Sequence, residues 1–207
     1  MARLILIRHG ETDFNLQKRY CGISDPGLND TGIRQVKLLD RQLENYTVDK
    51  VYCSDRKRTV QTAEIVFRRT IVEKRSDLCE MNFGVFEGMK YEELIKKYGR
   101  IYENWIDNPI ENEIPNGERF VDFEARIEGA LTDILSQHSG KSKNIAIVTH
   151  EGPIRVMAGF RMFSRRKKSC FLSFPREVPE GGKRESILNF FWQIKQPLGS
   201  FRVVNYE

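Results

Sequence analysis

Long apolar runs are missing from this chain. No stretch approaches the roughly 20 apolar residues that a membrane helix needs. Met1-Ala2-Arg3 leads straight into a short strand with no small-residue cleavage site behind it, so a secretion signal is not expected either. Paired cysteines are also missing. Cys21, Cys53, Cys79 and Cys170 stand far apart with no CxxC, which suggests neither a zinc site nor a disulfide framework and leaves reduced thiols, as expected in a cytoplasmic setting. Histidine is scarce, with three in 207 residues. The net charge of +5 is too small to indicate nucleic-acid binding without a basic face and aromatic support. A site that attracts small phosphorylated anions accounts for the surplus equally well.

What is present reads as one domain over 1–207, with no linker, internal repeat or low-complexity tract. The apolar run Leu4-Ile5-Leu6-Ile7 is too short to span a membrane and too apolar for a surface strand, so it is expected to be buried on both faces. It delivers Arg8-His9-Gly10-Glu11-Thr12 to the carboxyl end of the strand, where open α/β sheets bind ligands. A loop over 13–28 follows, then a helix capped by Asn29 or Asp30 and running to about Tyr46. Further along come a strand at 49–53, a helix at 56–69 and a short strand at 71–73. Residues 77–88 form an irregular loop, followed by short helices at 91–98 and 101–107 and a longer one at 118–138. A second buried strand, 144–148, ends at Thr149-His150, and a helix restarts over 151–162. The segment 161–185 holds eight basic residues against three acids and reads as a loop at about 163–186, before strand-like runs at 187–194 and 200–206. The fold class expected is α/β: a three-layer sandwich with a mostly parallel central sheet flanked by helices and a C-terminal edge hairpin.

Of the three histidines, His138 lies at the polar end of an amphipathic helix and reads as structural. His9 and His150 each end a buried strand, where a functional and a structural reading both stand.

Four separated motifs occur in order: Arg8-His9-Gly10-Glu11-Thr12 with Asn15; Ser54-Asp55-x-x-Arg58-x-x-Gln61-Thr62-Ala63; Glu80-x-x-Phe83-Gly84-x-x-Glu87-Gly88; and Val148-Thr149-His150. Together they resemble the histidine phosphatase superfamily, also called phosphoglycerate mutase-like, over residues 3–160. The resemblance implies a phosphoric monoester hydrolase working through a phosphohistidine. His9 would be the nucleophile, Arg8, Arg58, His150 and Asn15 would hold the phosphoryl oxygens, and Glu80 would protonate the departing alkoxide. Gly22 and Glu151 complete the expected substrate-binding set. Neither metal nor other cofactor is required.

The chain also departs from the family pattern. Glu151 stands where glycine usually follows the second histidine, and a carboxylate beside a phosphate pocket should cost affinity unless it points away. Arg56 and Thr59 replace the usual leucine and alanine. The short Phe83–Gly88 loop, with Tyr20-Cys21-Gly22 and Asp25-Pro26-Gly27-Leu28-Asn29, looks most like the α-ribazole-5′-phosphate phosphatases and the broad-specificity phosphatases around them. The partner expected is therefore a small phosphorylated metabolite, with no nucleic acid or membrane, and the protein itself is expected to be a monomer or homodimer. The alternatives are a cofactor-dependent phosphoglycerate mutase and a catalytically silent binding protein of the same fold. Attack by a neutral His9 and proton donation by Glu80 imply a bell-shaped pH profile, with an acid limb near the ordinary imidazole pKa of roughly 6.5.

Overall fold

The computed structural model describes residues 2–139, 143–164 and 198–206. At its centre is a five-stranded sheet made of β1 (Ala2–Arg8), β2 (Lys50–Ser54), β3 (Val72–Arg75), β4 (Asn144–Thr149) and β5 (Phe201–Tyr206), ordered β3-β2-β4-β1-β5. The first four strands are parallel, and β5 runs antiparallel along β1, at the edge of the sheet among the described residues. The other arm of the expected hairpin, 187–194, lies outside the described residues. So does the basic segment from 165 on, along with Cys170, whereas 161–164 complete the last helix. Among the described residues no helix is long and apolar enough to cross a membrane.

Burial on both faces explains why the strands read as continuous apolar runs. Leu4 and Leu6 enter one core with Tyr52, Ile145 and Ile147, while Ile5 and Ile7 enter the other with Val51, Cys53, Ala146 and Val148. The second core is closed by α2 (Asp30–Leu43) and α3 (Lys57–Val66), through residues such as Leu39, Leu43 and Ala63. The first is closed by α4 (Tyr91–Asp107), α5 (Phe120–Ser136) and α6 (Glu151–Ser164).

Most element ends fall within one residue of the sequence expectation, and the rest shift by two or three. The largest differences have local causes. Asn29 caps α2 by accepting from the Gly32 N–H, and the helix stops at Leu43, short of Tyr46. Residues 91–107 form one helix, but Tyr98 has non-helical angles (φ −133°, ψ 22°), which is where the expected break falls. The 13–28 loop contains a four-residue helix, α1 (Asp13–Leu16), held by a reciprocal cap between Thr12 and Asn15. Within 76–88 the irregular chain includes two single 3₁₀ turns, Ser76–Leu78 and Gly84–Phe86. His138 is buried, with Nε2 3.0 Å from the Tyr52 hydroxyl, in keeping with a structural role.

Candidate active site

Parallel pairing brings the two strand-end histidines together. Arg8 is in register with Thr149, and the His9 N–H donates to the Thr149 carbonyl at 3.1 Å, so His9 and His150 leave the sheet side by side. Their ring centroids are 5.2 Å apart. On the other side of β1, the Gly199 N–H donates to the His9 carbonyl at 2.9 Å. The backbone of His9 is thus held from both flanks.

The tautomers follow from the partners. His9 Nδ1 is 2.7 Å from the Gly10 carbonyl, which can only accept, so Nδ1 carries the hydrogen and Nε2 keeps its lone pair. Arg58 Nε donates to His150 Nδ1 at 3.2 Å, which leaves His150 Nε2–H facing the Ser54 hydroxyl at 3.0 Å. Desolvation, reinforced by the charge on Arg58, holds both imidazoles well below their usual range.

Arg58 sits in the first turn of α3 and is 1% exposed. Asp25 caps that turn by accepting from the Lys57 N–H at 2.7 Å. The Arg58 guanidinium donates to the carbonyls of Ser24 (2.7 Å), Gly22 (3.1 Å) and Cys21 (3.3 Å). With the bond to His150, four of its five N–H groups are committed, and one remains for a ligand oxygen. The loop supplying those carbonyls is itself tied down by Glu87. That carboxylate accepts from the backbone N–H groups of Gly22, Ile23, Ser24 and Phe83 and from the Ser24 hydroxyl. Gly22 is needed for closeness, since a Cβ there would lie 1.9 Å from the Met81 carbonyl oxygen. Its φ is not positive, so conformational freedom is not the reason for glycine.

Glu80 reaches the same space from the loop after β3. Its two oxygens accept from the Met81 N–H (3.0 Å) and from the Gly152 N–H at the start of α6 (3.1 Å). Desolvation nevertheless raises its pKa, against the opposing pull of those N–H groups and of Arg58 and Arg8. Arg126 on α5 splints this loop, donating to the carbonyls of Asp77 (2.9 Å) and Cys79 (3.0 Å) while pairing with Glu118. Arg8, pushed down by burial to about 10, pairs with Glu151 at 2.6 Å. Glu151 also pairs with Arg155 one helical turn on. The extra carboxylate therefore does not stand free beside the pocket but is turned onto two guanidiniums. Asn15 lies at the α1 cap, where its side-chain oxygen accepts from the Thr12 N–H (3.0 Å) and hydroxyl (2.8 Å), and what it can offer a ligand is its amide nitrogen.

Two imidazoles, two guanidiniums and a carboxyl group thus share one buried space, each within reach of the others' charge. The same chain matches the model of the histidine phosphatase superfamily (branch 1) over residues 4–162. It belongs to that superfamily.

Within the superfamily it is 34% identical over 159 residues to phosphoserine phosphatase 1 of Hydrogenobacter thermophilus, covering 76% of this chain and 74% of the relative. It is also 34% identical over 159 residues to the adenosylcobalamin/alpha-ribazole phosphatase of Escherichia coli, covering 75% and 76%. The crystal structure of the alpha-ribazole phosphatase from Shigella flexneri superposes with a TM-score of 0.78 at 28% identity, over 99% of this chain and 91% of that one. Sequence reasoning missed three side chains that shape the site: Ser54, Glu87 and Arg155. Ser54 and Glu87 were inside quoted motifs, but their partners are far away in the chain. Arg155 could have been found from its i, i+4 spacing to Glu151.

Proposed function

We propose that the protein is a phosphomonoesterase that forms a phosphohistidine at His9. The observation that carries this is the His9 tautomer: the 2.7 Å contact of Nδ1 with the Gly10 carbonyl leaves a neutral imidazole with Nε2 as the nucleophilic atom. Nε2 attacks phosphorus, the N–P bond forms and the P–O ester bond breaks. Glu80, whose pKa burial raises, gives its proton to the departing alkoxide. In the second half-reaction Glu80, now a carboxylate, takes a proton from water. The resulting nucleophile cleaves N–P and returns Nε2 to its starting state.

Arg8, the remaining Arg58 N–H and the Asn15 amide hold the nonbridging oxygens, on which negative charge collects in the transition state, and His150 joins them by turning its Nε2–H from the Ser54 hydroxyl to the phosphoryl group. For Arg8 this requires Glu151 to yield it to the phosphoryl group and stay on Arg155. Gly22 contributes by letting the Arg58-holding loop close against Met81. The substrate is a small phosphorylated metabolite of the cytoplasm, and α-ribazole 5′-phosphate is the candidate supported by the similarity to α-ribazole phosphatases.

The test is release of inorganic phosphate from p-nitrophenyl phosphate, with trapping of the acid-labile phosphoenzyme. The expected result is turnover in the wild type and at least a roughly thousandfold loss, with no phosphoenzyme, in His9→Ala. An active His9→Ala protein overturns the reading. So does rapid isomerisation of 3-phosphoglycerate, in the presence of the bisphosphate primer, with little free phosphate.

A further inference from the structure

Glu80 borders a second space besides the anion site. It opens onto a cavity of about 180 Å³ walled by Phe83, Trp105, Ile106, Phe120 and Phe123. These walls come from the 3₁₀ turn after Glu80, the end of α4 and the start of α5. Trp105, Phe120 and Phe123 are 4%, 7% and 3% exposed and belong to the main core, and Trp105 stacks edge-on against Phe83 at 6.2 Å. The shape of the cavity is therefore fixed by core packing before any ligand arrives. An apolar cavity of roughly 150 Å³ is enough to hold a benzene ring.

The charge around this space is already balanced. Besides Glu80, the charged side chains lining it among the described residues are Glu151 and Arg155, and these pair with each other. A carboxylate or ammonium group placed there would lose its water without gaining a free counter-charge. An uncharged apolar group would displace water from aromatic walls at no such cost.

We propose that this cavity receives the alcohol part of the ester and selects an uncharged group of about one ring in size, carried next to the ester oxygen, over amino-acid and hydroxy-acid phosphates. The inference rests on the phosphatase reading and extends it to the chemical class of the substrate. Glu80 is the hinge between the two spaces: it protonates the ester oxygen, so whatever that oxygen carries must lie on the cavity side of it.

The experiment compares kcat/KM for benzyl phosphate and phosphoserine, both with primary alkoxide leaving groups, so that binding rather than leaving-group acidity decides. Acetyl phosphate, too small to fill the cavity, reports on the phosphoryl chemistry alone. The wild type is expected to prefer benzyl phosphate by about a hundredfold or more. Ile106, only partly buried in the wall, is the position to alter. Ile106→Arg should cut the benzyl preference by at least about tenfold by supplying a cation to the phosphoserine carboxylate.

Hydrolysis of acetyl phosphate with phosphoserine turned over as well as benzyl phosphate sinks the cavity proposal and leaves the phosphatase reading standing. Failure to hydrolyse any of the three compounds sinks both. The wild-type comparison decides the matter even if the Ile106 variant does not fold.

Discussion

Burial moves the two kinds of titrating group in the site in opposite directions. It lowers the pKa of His9, with help from Arg58, and raises that of Glu80. Attack needs His9 without its proton, so kcat/KM rises as pH climbs through the lowered imidazole pKa. Donation needs Glu80 with its proton, so kcat/KM falls as pH passes the raised carboxyl pKa. The acid limb therefore lies below the roughly 6.5 of an ordinary imidazole, not at it. A bell-shaped profile is expected, and Glu80→Gln should remove the alkaline limb and lower kcat by at least about a hundredfold. A rate that stays level between about pH 4 and pH 9 would contradict this division of labour.

Glu151 offers a second test at the same scale. It holds Arg8 at 2.6 Å, so phosphate and carboxylate compete for one guanidinium. Glu151→Gln should lower KM by roughly three- to tenfold, the size of about 1 kcal/mol of competition at a partly buried pair, most visibly at low salt. Inhibition by inorganic phosphate should strengthen in parallel. An unchanged or raised KM would mean that Glu151 orders Arg8 for the substrate instead of withholding it.

Among the elements, the loop from Cys21 to Ser24 has the most consequence for its size. Three of its carbonyls grip Arg58, and Glu87 grips the loop through four donors while taking a fifth from the Phe83 N–H. Glu87→Gln replaces one acceptor oxygen by a donor and must leave at least one N–H or O–H unmatched. Its cost should be about 1–3 kcal/mol of stability, read by urea unfolding, together with a rise in KM of at least about tenfold as Arg58 loses its seat. A variant that loses stability with an unaltered KM would show that the loop does not position Arg58. This linkage was not legible in the sequence. Glu87 and Gly22 are both visible in motifs, but nothing in their spacing says that one accepts from the other across 65 positions. The short helix α1 escaped for a different reason: four residues carry no hydrophobic period, and only the Thr12–Asn15 cap marks it.

In the whole molecule, legibility follows burial. Leu4–Ile7 and Ile145–Val148 are fully enclosed, and enclosure on both faces leaves an unbroken apolar run that can be read directly. The strand order could not be read this way, because β4 is inserted between β1 and β2 by contacts that no local pattern encodes. The site shows the same division. The residues expected at strand ends are found there and meet, while those supporting them from loops were visible only as letters in a motif.

One consequence of the β1–β4 register concerns how the enzyme comes into being. His9 and His150 face each other because residues 141 positions apart pair without an offset, and a slip of one residue would turn one imidazole to the opposite side of the sheet. A nascent chain therefore has no partial activity to offer. The companion imidazole lies 141 residues beyond the nucleophile, so the pair exists only once β4 has docked beside β1, a contact of long sequence separation.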